Sequence, residues 1–168
     1  DLLFDYNTSH STLFLECLLQ SRLQCADLLL DILLSSCTIS ELINYINHQD
    51  AVYHRVAGHH IHRYPQLLDK VGLYIDWRVR DLSFNTPLVA LCRNYDIQDY
   101  PSLVTRTFEI VKKWYAVQKM EFDPLDHIDA KGNTLLHILR DGCLQPILSE
   151  PYVDVNKFND RGHCPLVV

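Results

Sequence analysis

The sequence is short of the residues that make linkers, membrane anchors and phosphate cradles. It holds 5 glycines and 7 prolines among 168 residues, too few for a linker or a fibrous protein. A helix that crosses a bilayer needs about 18 or more consecutive apolar residues. The greasiest stretch here, Leu28–Leu34, is short and is interrupted by Asp31. Neither G-x-G-x-x-G nor G-x-x-x-x-G-K-[ST] occurs, which excludes the familiar glycine-rich phosphate loops. There is no G-x-S-x-G elbow to expose a serine nucleophile and no C-x-x-C pair to hold zinc. Positive charge is scarce as well, with 15 Lys and Arg against 21 Asp and Glu and a net charge of −6. Nucleic acids and anionic membranes reward clustered cations, so the expectation is neither nucleic-acid binding nor membrane insertion.

The 6 cysteines (Cys17, Cys25, Cys37, Cys92, Cys143, Cys164) are scattered, and several sit in apolar stretches such as Leu15–Leu19. Buried free thiols of an intracellular protein, cytoplasmic or nuclear, are expected rather than a disulfide framework. The chain opens at Asp1 without a leader-like segment and is expected to be a piece of a longer protein.

What is present is a core. Hydrophobic residues make up 48% of the chain, enough to offset the entropy of ordering one compact domain of this length. Val104, Thr107, Phe108, Val111, Trp114 and Tyr115 recur at three- and four-residue steps and predict a helix over Leu103–Val117. Further helices are expected at Leu23–Leu34 and Ile39–Asn47, the latter opened by Thr38-Ile39-Ser40-Glu41, a capping-box pattern. No stretch alternates long enough to demand a sheet, so the fold class is all-α.

Three phrases repeat. They are Asp81–Leu91 (containing Asn85-Thr86-Pro87-Leu88), Asp129–Leu139 (containing Gly132-Asn133-Thr134-Leu135-Leu136-His137) and Asn159–Val168 (containing Gly162-His163-Cys164-Pro165-Leu166). They resemble the ankyrin repeat, whose D-x-x-G-x-T-P-L-H-x-A turn enters the first of two antiparallel helices. Asp154-Val155-Asn156 is similar to that family's D-V-N hairpin strand. The resemblance implies an ankyrin-like α-solenoid of stacked antiparallel helix pairs with hairpin connections. It implies one domain over 1–168, with repeat marks near Thr12, Ala51, Thr86, Thr134 and Cys164 and an incomplete last repeat. It also gives His137, and His54 by position, a structural part in ordering neighbouring hairpins. The helix breakers suit this register: Pro65, Pro87, Pro101, Pro146 and Pro165 stand at helix starts, Gly132 and Gly162 in tight turns, and Gly58, Gly72 and Gly142 at helix ends. The insert Asn94–Pro101 and an extended Gln118–Asp129 connection interrupt it.

Candidate chemistry is thin. The His54–His62 cluster could supply zinc ligands, but His54 and His59 are five apart, which turns them away from each other on a helix, and no Cys or carboxylate stands at a zinc-finger interval. Asp123, Asp126 and Asp129 lack the order of a calcium loop and read as turn residues. No catalytic residue, metal or cofactor is assigned. Candidates for partner binding are Trp77, Arg78 and Arg80, whose residue types dominate hot spots, with Trp77 open equally to a core role. Tyr95 and Tyr100 of the insert, with Asp126 and Lys131 of the hairpin and turn before Thr134, complete the set. The expected function is a protein-binding or scaffolding module of a larger intracellular regulator, without catalysis of its own. The alternatives are an accessory domain that positions an enzyme elsewhere in the parent chain, or a zinc-stabilised helical domain using the histidine cluster.

Overall fold

A computed structural model describes residues 5–94, 100–151 and 153–165. Among the described residues the regular structure is helical, with no strand. Helices α1 (Leu13–Leu19), α2 (Leu23–Ser36) and α3 (Ile39–Ile46) come first. A 3-10 helix at Ala57–Arg63 leads into α4 (Pro65–Val71), then α5 (Pro87–Cys92) and the long α6 (Pro101–Val117). A 3-10 turn at Pro124–His127 precedes α7 (Leu135–Ile138), and another at Asp141–Cys143 precedes α8 (Gln145–Leu148).

Local chemistry explains these boundaries. Thr12 and Thr86 each receive the amide three residues on, which satisfies a donor that the first helical turn leaves orphaned. At α3 the capping box is complete: the Glu41 amide reaches Thr38 Oγ1, and the Glu41 carboxylate accepts from the Thr38 amide. Those bonds to Thr38 hold the Glu41 carboxyl below the usual carboxylate range. Pro65, Pro87 and Pro101 open α4, α5 and α6, where a missing N–H costs nothing.

One hydrophobic core runs from Phe14 to Ile147. On one side α1 packs against the 3-10 helix Ala57–Arg63, which packs against α5, which packs against α7. On the other, ion pairs join successive helices: Lys70 of α4 to Asp27 and Asp31 of α2, Arg106 of α6 to Asp69 of α4, and Lys112 of α6 to Glu150 just past α8. These exposed pairs add little stability each; the apolar residues beneath them hold the elements together. On α6 all six residues of the expected stripe are buried, and Ile110 joins them.

Several expectations are corrected. The hairpins are turns and extended segments, not strands, among the described residues. The slot beginning at Ala51 holds no helix; the chain turns over Asp50–Arg55 and becomes helical at Ala57. Gly58 ends no helix but lies inside the 3-10 segment, where a Cβ would meet Ile75 Cγ2 at 2.7 Å. All six cysteines are free thiols, three of them buried (Cys17, Cys92, Cys143).

Candidate functional site

Among the described residues, five turns of one design punctuate the helices: Asn7–Ser11, Asp50–Arg55, Asp81–Asn85, Asp129–Asn133 and Asn159–His163. In each the first amide donates to the last carbonyl, at 2.9–3.3 Å. The leading Asn or Asp places one side-chain oxygen under the tip amides. Asp81 Oδ1 takes those of Ser83 and Asn85, Asp129 Oδ1 those of Lys131 and Asn133, and Asn159 Oδ1 those of Arg161 and His163. The penultimate residue always has positive φ: His10 54°, His54 53°, Phe84 60°, Gly132 69° and Gly162 76°. Glycine takes this conformation freely, whereas phenylalanine does not. Burial alone would push the Asp129 carboxyl up, but bonds from Asn133 and the Lys131 amide, with the Arg93 charge, bring it below its ordinary value.

The turns are joined edge to edge. Ala51 N donates to Ser9 O, Leu82 N to Tyr53 O and Asp160 N to Lys131 O, at 2.9–3.0 Å. Arg93 spans the third and fourth turns, reaching Asn85 Oδ1 and the Asp129 carboxylate. His59 takes the Val56 amide on Nδ1 and turns Nε2 to Asn85 O at 2.9 Å; His137 does the same between the Thr134 amide and His163 O. His59, not His54, is therefore the counterpart of His137. While the leading Asp50, Asp81 and Asp129 are buried, Val52, Tyr53, Leu82 and Phe84 on the adjacent second and third turns are about half exposed or more. Arg55 lies 5.0 Å from the Tyr53 ring centroid, a cation–π contact.

Behind this edge lies a groove of about 420 Å³ lined by Asp76, Arg78, Val79, Arg80, Trp114, Gln118, Met120 and Asp126. Arg80 donates at 2.8 Å to the carbonyls of Phe84, Ile128 and Asp126, so it ties the third turn to the segment before the fourth. Arg78 pairs with the Asp126 carboxylate at 3.3 Å and faces the groove. The carboxylate only accepts, so the Tyr115 hydroxyl gives it its proton at 3.0 Å and offers its lone pair to His127 Nε2–H at 3.1 Å. Nδ1 of His127 then accepts from the Thr86 hydroxyl at 2.9 Å. Burial, reinforced by the charges of Arg80 and Arg78, holds the His127 imidazole down to about 3, so it stays neutral. Burial and the bond to Asp126 push the Tyr115 hydroxyl up. The chain from the cap of α5 to the groove thus fixes protons in place and is closed at Thr86, which is buried.

No family model matches the chain. A UPF0507 protein of Kluyveromyces lactis is 38% identical over 168 residues, covering all of this chain and 16% of the relative. One of Saccharomyces cerevisiae (strain S288c) is 39% identical over 169 residues, covering all of this chain and 22% of the relative. One of Debaryomyces hansenii is 39% identical over 170 residues, covering 99% of this chain and 14% of the relative. The chain is similar to yeast UPF0507 proteins. It spans only between 14% and 22% of the length of these relatives.

This corrects the resemblance to ankyrin repeats, since these relatives bear the UPF0507 name and not that of ankyrin-repeat proteins. The physical reason lies in what the short phrases report. An Asp or Asn that brackets a turn, a positive-φ residue, a threonine cap and a proline at the first helical position record local turn and capping chemistry, which does not by itself specify a family.

The candidates from the sequence separate on the structure. Trp77 is fully buried, with its indole N–H on Gly72 O at 2.9 Å, and is a core residue. Arg78, Arg80 and Asp126 come together in the groove, with Arg80 occupied by carbonyls. Lys131 is exposed at the tip of the fourth turn. Tyr100 is 64% exposed and lines a different cleft with Ser21, His62 and Tyr64. Tyr95 lies outside the described residues. Among the described residues no three His, Cys, Asp or Glu side chains are placed to hold a metal, and both ring nitrogens of His59 are engaged. The apolar tips Val52, Tyr53, Leu82 and Phe84 were missed. Their signal is an apolar or aromatic residue inside a turn that starts on Asp and closes before a helix cap.

Proposed function

We propose that this chain is a protein-binding module built as an open stack of helix pairs, and that it engages its partner through the edge formed by its turns. The observation that carries this is the exposure of Val52, Tyr53, Leu82 and Phe84 on two turns joined by a backbone hydrogen bond. Contiguous apolar side chains held outward at a rigid edge mark an interaction surface. Phe84 strengthens the case, because an aromatic residue at φ 60° is strained, and strain retained at a surface position points to use. The stack is supported by the order of packing from α1 through the 3-10 helix and α5 to α7, with ion pairs joining α2, α4 and α6 and then α6 to Glu150 just past α8.

A binding role rather than catalysis is supported by the enclosure of the most perturbed groups. His127 is fully buried and hydrogen-bonded on both nitrogens, and burial pushes the Cys92 thiol up, away from nucleophilic character. Work within a longer protein is supported by the length of the UPF0507 relatives. A reducing, intracellular setting is supported by the six free thiols.

The test compares the chain with a Val52→Ser, Tyr53→Ser, Leu82→Ser, Phe84→Ser variant. Both are immobilised in equal amounts and used to capture proteins from a yeast extract, with quantification by mass spectrometry. Proteins retained by the chain and lost from an equally stable variant support the role. Identical captured sets from the two would overturn it.

A further inference from the structure

Between the tips of the fourth and fifth turns lies a recess of about 180 Å³ lined by Lys131, Asn133, His137, Asn159, Arg161 and His163. Its floor is committed. Asn159 Nδ2 donates to Asn133 Oδ1 at 2.8 Å, Asn133 Nδ2 donates to Asp129, and His137 Nε2 bonds His163 O at 3.0 Å. Its rim is not. The Lys131 ammonium, the Arg161 guanidinium and the His163 imidazole have no hydrogen-bond or ion-pair partner among the described residues.

Several cations elsewhere in the chain are neutralised. Arg55, Arg78, Arg93 and Arg106 each face a carboxylate, and Lys70 faces two. The recess has no carboxylate in its lining. Of the neighbouring acids, Asp129 is buried under its own turn and paired with Arg93, and the Asp160 carboxylate lies outside the lining, against Gly132, where a Cβ would meet its Oδ1 at 2.6 Å. Three donor-only or donor-capable side chains therefore converge on one polar hollow in a protein whose net charge is −6.

We propose that this recess is an anion site that takes a phosphoryl group carried on a side chain of the partner protein. It rests on the protein-binding role above and names the chemistry that role would recognise. A phosphoryl group brings a charge of about −1.5 to −2 and three strong acceptor oxygens, which matches a guanidinium, an ammonium and an imidazole better than a lone carboxylate does. Two paired turns carry the three donors, and the hydrogen bonds beneath them fix the spacing of the backbones from which they project. A single small recess on an acidic protein also selects against extended polyanions, because nucleic acids and anionic bilayers gain affinity from many cations over a wide surface.

The first measurement titrates inorganic phosphate into the full chain and follows backbone amides by NMR. Saturable shifts confined to Lys131, Gly132, Arg161, Gly162 and His163 are expected, and their absence overturns the site. They should vanish in a Lys131→Ala, Arg161→Ala variant with an otherwise unchanged spectrum; shifts that persist there overturn it too. Should that variant unfold, Lys131→Gln and Arg161→Gln, tested singly, take its place under the same criterion. Peptide arrays then offer matched phosphoserine, serine and glutamate peptides to both proteins. Phosphoserine peptides should bind the chain at least about tenfold better than serine peptides, as loss of charge-assisted bonds dictates, and lose that preference in the variant. Equal retention of glutamate peptides would overturn the phosphoryl assignment. Capture on phosphatidylserine vesicles that depends on Lys131 and Arg161 would overturn the protein-borne source. Capture by the apolar turn tips is read separately on the serine-substituted variant, so failure of the recess leaves the protein-binding role standing.

Discussion

His60 offers the sharpest test of how this core is built. The residue is 5% exposed, and neither ring nitrogen has a hydrogen-bond partner. Burying a polar group in that state costs about 1–3 kcal/mol. Burial, followed by the charges of Arg55 and Arg63, holds the imidazole down to about 3, against about 6.5 in an unfolded chain. Above pH 6.5 both states are neutral and pH does not matter. Below it the unfolded chain takes up the proton first, so stability falls with pH until about 3. From pH 7 to pH 5 the loss at this one residue is about 2 kcal/mol. Replacing His60 with Leu, an apolar residue of similar size, removes both effects. Urea unfolding at pH 7 should find the variant more stable by about 1–3 kcal/mol. At pH 5 the gap should widen by about 2 kcal/mol, because the unfolded variant has no imidazole at this position to take up a proton. His127 titrates in both proteins and cancels from the comparison. A destabilised variant, or a gap that stays constant between the two pH values, would refute the reasoning and mean that His60 is hydrogen-bonded.

Three further outcomes are expected. Arg80→Ala should lower stability by about 2 kcal/mol, since its donors serve three carbonyls, while Arg78→Ala should cost under about 1 kcal/mol for one half-exposed ion pair; equal losses in chemical denaturation would contradict the division of labour. Phe84→Gly should raise the melting temperature, because glycine relieves about 1 kcal/mol of left-handed strain at a side chain that is 59% exposed, and it should weaken partner capture. A lower melting temperature would show that Phe84 packs. Trp77→Ala should cost about 3–5 kcal/mol as a cavity in the core; a loss below about 1 kcal/mol in thermal unfolding would return Trp77 to the surface.

The helices were legible wherever local chemistry writes a boundary. Thr38-Ile39-Ser40-Glu41 opens α3 as expected, Pro65, Pro87 and Pro101 open their helices, and the stripe from Val104 to Tyr115 is buried. The segment Ala51–Arg63 was not legible. Its turn is one residue longer than the others, closing from Asp50 to Arg55, so a search keyed to threonine places the slot five residues early. Trp77 and Arg80 lie three residues apart, one in the core and one clamped across carbonyls. In an extended segment, composition cannot say which side faces in, because that depends on what α4 and the 3-10 turn Pro124–His127 bring alongside. The recess was half legible: Lys131 stood out, but Arg161 and His163 join it only because Asp160 N bonds Lys131 O.

The turn frame explains how one edge can carry several chemistries. Each turn has two kinds of position. Its leading Asp or Asn is fixed by the hydrogen bonds that close it, and changing it breaks the frame, whereas the penultimate residue need only hold a positive φ, which His, Phe and Gly all do here. The tip residues contribute only their amides to that closure, so their side chains are free to vary without loss of fold. The chain uses this freedom unevenly, with Val52, Tyr53, Leu82 and Phe84 on the second and third turns and Lys131 and Arg161 on the fourth and fifth. An apolar anchor and a cationic recess thus share one rigid edge, held in register by Arg93 between Asn85 and Asp129. Removing that arginine tests the coupling, because it leaves the tip side chains in place, cuts the side-chain clasp between their turns and takes from Asp129 its paired cation. Arg93→Ala should therefore weaken a ligand that spans both regions more than it weakens phosphate at the recess alone. Equal losses in the two titrations would show that the turns keep their register without Arg93.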